Sequence, residues 1–265
     1  MNQKLKIIIP LILVLAAFGI FFFTRKPKDT GQDQIPQRKI EEINKLPVKD
    51  RPFVTLTPRA DGREVTLTVD KVKNATTIEY ELEYQAESLI QGVFGTIDLT
   101  KESQPVAKDL LFGSCSKGKS RYDEGVSGGS LTMRFEGAGE AYVLKSDFNL
   151  QLAGDREGEF TSKDAKATLN VGRSGLPLTT YVIVAGTMGL PAEVEGEVVA
   201  GPYAFLAPTA QKLSAAELAI KSKEDLTGAR IMFWNGSSWV ELDATIGEGT
   251  ISAPATALGT FIVVK

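Results

Sequence analysis

Histidine is absent from this chain of 265 residues, and cysteine occurs once. Without imidazole there is no Ser-His-Asp or Cys-His catalysis, no His-ligated zinc and no imidazole pH switch. A lone cysteine excludes an intramolecular disulfide and a cysteine-rich metal site. An excess of positive charge is also lacking. Thirty basic residues stand against 33 acidic ones, for a formal net charge of −3. That balance argues against nucleic acid as the main partner. No compositional extreme is present either: 43% of residues are hydrophobic and 24% charged, with 25 Gly and 12 Pro. Wholesale disorder and collagen-like structure are thereby excluded.

What is present begins with an apolar run at residues 7–23, IIIPLILVLAAFGIFFF. A run of about 17 residues at ~1.5 Å each reaches about 26 Å, the short limit for a bilayer span. Lys6, Arg25 and Lys26 have stems long enough to extend outward, and Pro10 lies early, where its cost is lowest. The competing reading is a cleaved signal peptide with Lys4 and Lys6 as its positive region. The run ends in bulky FFFTRKPK, without the small-residue cleavage pattern. It therefore predicts a signal anchor. Residues 1–6 are then cytoplasmic, 7–23 form a transmembrane helix with the lipid bilayer as partner, and the C-terminal domains are extracytoplasmic. The expected location is the cell membrane, single-pass. Residues 24–51 are polar and broken by Pro27, Pro36 and Pro47, which predicts a stalk.

From Pro52 onward one strand pattern follows another. EVTLTVD (64–70) alternates Val65, Leu67 and Val69 with polar neighbours. TIEYELEY (77–84) puts Ile78, Tyr80, Leu82 and Tyr84 on one side and Glu79, Glu81 and Glu83 on the other. Further strands are expected over 89–99, 108–113, 130–137 and 140–152. The Gly/Ser-rich segment 114–129 reads as an exposed loop. A break near Asp155 to Gly158 divides residues 52–154 from 155–265. The second half continues with TTYVIVAG (179–186), EVEGEVVAGPYAFLAP (193–208), a hairpin around Asn235-Gly236 and a closing GTFIVVK. Ser214 to Glu217 match a helix capping box, but Leu218 and Ile220 and their strand-like neighbours favour a strand. The expected fold class is all-β: two tandem antiparallel β-sandwich domains behind an N-terminal transmembrane helix and a polar stalk.

Few residues suggest chemistry. Ser114 and Lys117 have the Ser-x-x-Lys spacing in which a lysine activates a serine, though no Lys-Thr-Gly follows and the setting is a loop. Cys115 lies near Lys117, Lys119 and Arg121, which favour a thiolate; a transpeptidase of that type needs a histidine. Asp61, Asp123, Glu124 and Asp243 offer oxygen ligands for Ca²⁺ without the spacing of a binding loop. No cofactor and no metal is expected. Trp234 and Trp239 flank the Asn-Gly turn. With Tyr203 they could stack on sugar rings, or instead pack against each other or the core.

Two resemblances come from particular residues. Phe160-Thr161-Ser162-Lys163-Asp164, the strand Ala167 to Val171, Gly175-Leu176-Pro177 and Tyr181 to Val184, with the closing FWNGSSWVEL and GTFIVV, make the second half resemble a ZU5 domain. Val65 to Val69 followed by Ile78 to Tyr84 make the first half similar to a fibronectin type III or immunoglobulin-like module. Both resemblances imply β-sandwiches that present binding surfaces on a bacterial surface protein. Self-cleavage, which occurs at a His-Phe-Ser site in some ZU5 proteins, is not carried over to a chain without histidine. The function expected is therefore non-covalent binding, adhesion or envelope scaffolding, with envelope proteins or glycans as partners. The alternatives are a carbohydrate-binding module built on Trp234 and Trp239, and a hydrolase using Ser114 and Lys117.

Overall fold

Apolar residues that alternate with polar ones close one face of a sheet, and continuous apolar runs close two. Both patterns appear in the computed structural model, which describes residues 42–209 and 211–265. The first half contributes β1 (Phe53–Pro58), β2 (Glu64–Asp70), β3 (Thr77–Ala86), β4 (Leu89–Asp98), β5 (Val106–Leu111), β6 (Gly113–Ser116), β7 (Lys119–Tyr122), β8 (Val126–Glu136) and β9 (Tyr142–Leu152). The second half contributes β10 (Glu159–Thr161), β11 (Ala167–Asn170), β12 (Tyr181–Gly186), β13 (Val198–Leu206), β14 (Lys212–Lys221), β15 (Arg230–Trp234), β16 (Trp239–Leu242), β17 (Thr245–Gly247), β18 (Thr250–Ala257) and β19 (Thr260–Val264). The described residues are thus all-β, as the sequence predicts.

One nine-stranded antiparallel sheet runs through both halves in the order β16-β15-β19-β13-β12-β9-β8-β3-β4. Its halves join where β9 pairs with β12, with Leu150 opposite Ile183 and Asn149 opposite Val184. Two smaller sheets cover it. The sheet β1-β2-β5 lies on its front over the first half, and β10-β11-β14-β18-β17 lies on its back over the second. The front core joins Val54, Leu67 and Leu110 of the small sheet to Leu82, Leu131 and Phe148 of the large one. Phe112, fully buried, meets the Tyr84 ring edge-on at 4.8 Å. The back core joins Phe160, Leu169 and Ile220 to Val184, Phe205 and Phe261. Each such side chain contributes about 1.5–3 kcal/mol relative to leaving it in water.

β12 shows the junction most plainly. Ile183 and Ala185 point into the front core, Val182 and Val184 into the back core. Successive side chains in a strand face opposite ways, so YVIVAG must be apolar at every central position. β19, TFIVV, is likewise buried throughout. Its Phe261 and Val263 enter the back core, while Ile262 and Val264 join Leu190 in a third, smaller front cluster against Val48 and Trp239.

Four expectations need correction or comment. The segment 114–129 is not one loop. It forms the hairpin β6–β7 and the start of β8, with Lys117 and Gly118 supplying the positive φ of the turn. The capping-box segment is strand β14, because Leu218 and Ile220 alternate into the back core. The assignment to the cell membrane as a single-pass protein is withdrawn. Among the described residues no helix is long and apolar enough to cross a membrane, and the span expected over 7–23 lies outside them. Of the expected stalk, residues 42–51 are described, and they are fastened to the large sheet. Ile43 bridges to Val143, and the Asn44 amide bonds both the N–H and the carbonyl of Lys145, each at 3.0 Å. Arg51 closes this segment by donating to the carbonyls of Leu46 and Asn44.

Candidate functional site

The first candidate is an open cleft of about 750 Å³ between the tip of the β1–β2 hairpin, the chain entering β8 and the C-terminal end of β9. It brings together Asp61, Asp123 and Glu124, which the sequence singled out, and adds Asp155, Arg63 and Arg156, which it did not. The wall is fixed by secondary structure. The Asp61-Gly62 turn places Gly62 at φ 69°, a left-handed conformation suited to glycine. A Cβ there would stand 2.6 Å from the Tyr181 ring. Below it, the buried Gln151 side chain holds both the N–H and the carbonyl of Thr161 and pins β10 to the large sheet.

Two carboxylates of this cleft, Asp61 and Asp123, already have partners. Asp61 receives two bonds from Arg59 at 2.7 Å and the N–H of Arg63 at 3.1 Å. The Arg59 hydrogen bond is the main reason its carboxyl is held down at about 2. Arg59 also pairs with Glu64. Asp123 accepts the Tyr84 hydroxyl at 2.8 Å. Burial first, then this bond to a carboxylate, pushes the Tyr84 phenol well above its usual range. Among the described residues no three Asp, Glu or Cys side chains converge closely enough to hold a metal ion. Asp243 is exposed beyond β16, the strand at the opposite end of the large sheet from β4. The cleft therefore offers a polar wall of mixed charge, suited to reversible contact.

The aromatic residues are only partly united. Trp234 and Trp239 face each other across β15–β16 with ring centroids 5.4 Å apart and planes at 65°. Trp239 packs on the third cluster and donates its indole N–H to the Ala192 carbonyl at 3.2 Å. Tyr203 is registered opposite Phe261, and Phe261 opposite Phe233. It therefore lies on the back of the sheet, while the tryptophans lie on the front. Its hydroxyl bonds Asp164 at 3.0 Å. Burial would raise the Asp164 carboxyl, but the bonds from Ser162, the Lys166 N–H and Tyr203 more than offset it and leave it below the usual range. Ser114 lies in β6 and Lys117 in the turn of an exposed hairpin, so neither is enclosed. Cys115 is exposed on the same hairpin.

The second candidate was not recognised from the sequence. β4 ends the large sheet, and its outer edge has no neighbouring strand among the described residues. Phe94 is 83% exposed and Ile90 73%, both on the back of the sheet, which no described strand covers in the first half. The signal was available: LIQGVFGTID carries no Lys, Arg or Pro and no charge before Asp98. Comparison with protein-family models, with curated proteins and with solved structures finds no match.

Proposed function

We propose that this chain is a non-covalent binding and scaffold protein whose principal contact surface is the edge strand β4. The observation that carries this reading is an unguarded sheet edge with large apolar side chains in water. Natural sheets blunt their edges with lysine, proline, bulges or covering segments. Among the described residues β4 has none of these, and its pairing with β3 runs unbroken over ten residue pairs. Such an edge suits addition of a further strand, where main-chain bonds give affinity and alternate side chains give selectivity. The cleft near Asp61 and Asp123 is a second, polar contact surface. The resemblance of the two halves to immunoglobulin-like and ZU5 modules is in keeping with a presenting role.

The glycan-binding alternative has less behind it, since Trp239 spends its N–H inside the protein and Tyr203 sits on the other face. The Ser114/Lys117 hydrolase has an exposed hairpin and no enclosing pocket. The test compares the native size of the wild-type chain and of Phe94→Lys in extracts of the source cells by size exclusion. The expected result is a complex larger than the monomer that is lost in the variant. A complex unaffected by Phe94→Lys would remove β4 as the contact surface.

A further inference from the structure

We propose that the strand added to β4 is β4 of a second copy of this chain, paired antiparallel about a two-fold axis at Gly92. This inference rests on the edge-contact reading above and names the partner. The hairpin geometry fixes which backbone groups are free. Ala86 and Leu89 flank a two-residue turn, so they form a hydrogen-bonded pair. Every second residue of β4 from Leu89 onward then turns its N–H and C=O toward β3. Those of Ile90, Gly92, Phe94 and Thr96 point outward.

The outward set is self-complementary. An axis at Gly92 sets Ile90 opposite Phe94 of the second copy, Gly92 opposite Gly92, and Phe94 opposite Ile90. All three are hydrogen-bonded pairs with two N–H···O bonds each. The two most exposed apolar side chains of the strand meet each other twice, as the aromatic and β-branched cross-strand pairs that stabilise sheets do. Glycine at the axis leaves no side chain to collide with its own image. A one-residue slip would set outward groups against inward-bonded ones, so slips are confined to steps of two residues, and the Ile90–Phe94 pairing selects the axis at Gly92 among these.

Charge is compatible with a second copy. The charged residue of β4, Asp98, extends past the Glu87-Ser88 turn of the other chain, where β4 has already folded back into β3, so the two Asp98 side chains lie at opposite ends of the contact. The exposed row Glu79, Glu81 and Glu83 on β3 lies one strand further in. Glu83 and its image are three strand spacings apart, about 14 Å, beyond the screening length of about 8 Å at physiological salt. A parallel arrangement would bring like residues side by side along the whole strand. The contact is small, on the order of 1,200 Å² or less in total, at the low end of specific interfaces.

The test uses the full chain with Cys115→Ser, so that the added thiols react only with each other. In Gly92→Cys a Cβ meets its nearest neighbour, the Leu82 carbonyl oxygen, at 3.8 Å, an ordinary contact. At the axis the two Cα atoms lie about 5.5 Å apart, within disulfide reach. Mild oxidation should link Gly92→Cys into a covalent dimer and leave Thr96→Cys, whose image lies eight residues away along the strand, unlinked. In sedimentation velocity from 1 to 100 µM, Phe94→Lys should weaken the dimer at least tenfold with its circular dichroism unchanged. Equal linking of both cysteine variants, or a wild-type monomer throughout that range, overturns self-pairing. A monomer in pure solution together with a Phe94-dependent complex in extracts would overturn self-pairing alone and leave the edge as a site for another partner. A complex in extracts insensitive to Phe94→Lys would overturn both.

Discussion

β3 and β19 belong to the same sheet and differ in one respect that accounts for their sequences. TIEYELEY in β3 has Ile78 and Leu82 in the front core and Glu79, Glu81 and Glu83 in water. TFIVV in β19 is buried on both sides. Among the described residues the first half of the sheet is covered on its front only; the second is covered on both faces. The first can therefore accept polar residues at every other position, whereas the second cannot accept them anywhere along its central strands. The half left open ends in the ten-residue edge strand β4, whereas the other half ends in the four-residue β16.

The sharpest way to break this comparison is a charge placed on each kind of strand. Val184→Asp in β12 buries an unpaired carboxylate in the back core and should destabilise by more than about 4 kcal/mol. Glu81→Lys on the open face of β3 should change stability by less than about 0.5 kcal/mol. Urea unfolding of the two variants decides it: comparable midpoints would mean that the open and closed faces are not distinct. A smaller effect concerns how the back sheet is fastened. Gln151→Leu leaves the Thr161 N–H without its side-chain partner, while the Thr161 carbonyl keeps the Asn149 amide at 2.9 Å, and should cost about 1–3 kcal/mol. Faster hydrogen exchange at Thr161, with the β1–β2 amides unchanged, would locate the loss in the second half; uniform exchange would contradict that assignment.

The smallest effect belongs to charge at the front hairpin. The Asp61 carboxyl is held at about 2, below its unfolded value near 4. Its contribution is present above pH 4 and is lost as the pH falls through 2. The group is exposed, so this contribution is below about 1 kcal/mol. Asp61→Asn should lower stability at pH 7 by up to that amount, with the difference from wild type shrinking to zero as the pH falls through 2. A difference at neutral pH larger than this would give the charge a weight comparable to burial.

Local pattern made the strands legible because burial on one face writes a period of two into the sequence. Leu67, Leu82 and Phe148 are examples. Continuous runs such as YVIVAG were equally legible as strands, but the reason for their continuity was not. Nothing local says that Val182 and Ile183 enter different cores, because that depends on β12 meeting β9 across 28 intervening residues. The hairpin in 114–129 was hidden by its exposed, polar strands, which carry no burial signal at all. The cleft escaped for a related reason. Asp61, Asp123 and Asp155 are far apart in sequence, and only the return of β9 toward the β1–β2 turn makes them neighbours. The bare edge of β4 was visible as an absence of lysine and proline, but being an edge is a property of the whole sheet.

The double duty of β12 has a practical consequence. Ile183, Ala185 and Met188 line the front core, yet they follow Leu152, where the first run of strands ends. A gene fragment stopped there would leave the earlier β-strands with a missing wall, and one started there would leave the opposite side of that wall bare. The two halves are thus not interchangeable cassettes, and any recombination or fusion made at their seam would have to carry residues 181–188 along with its N-terminal portion.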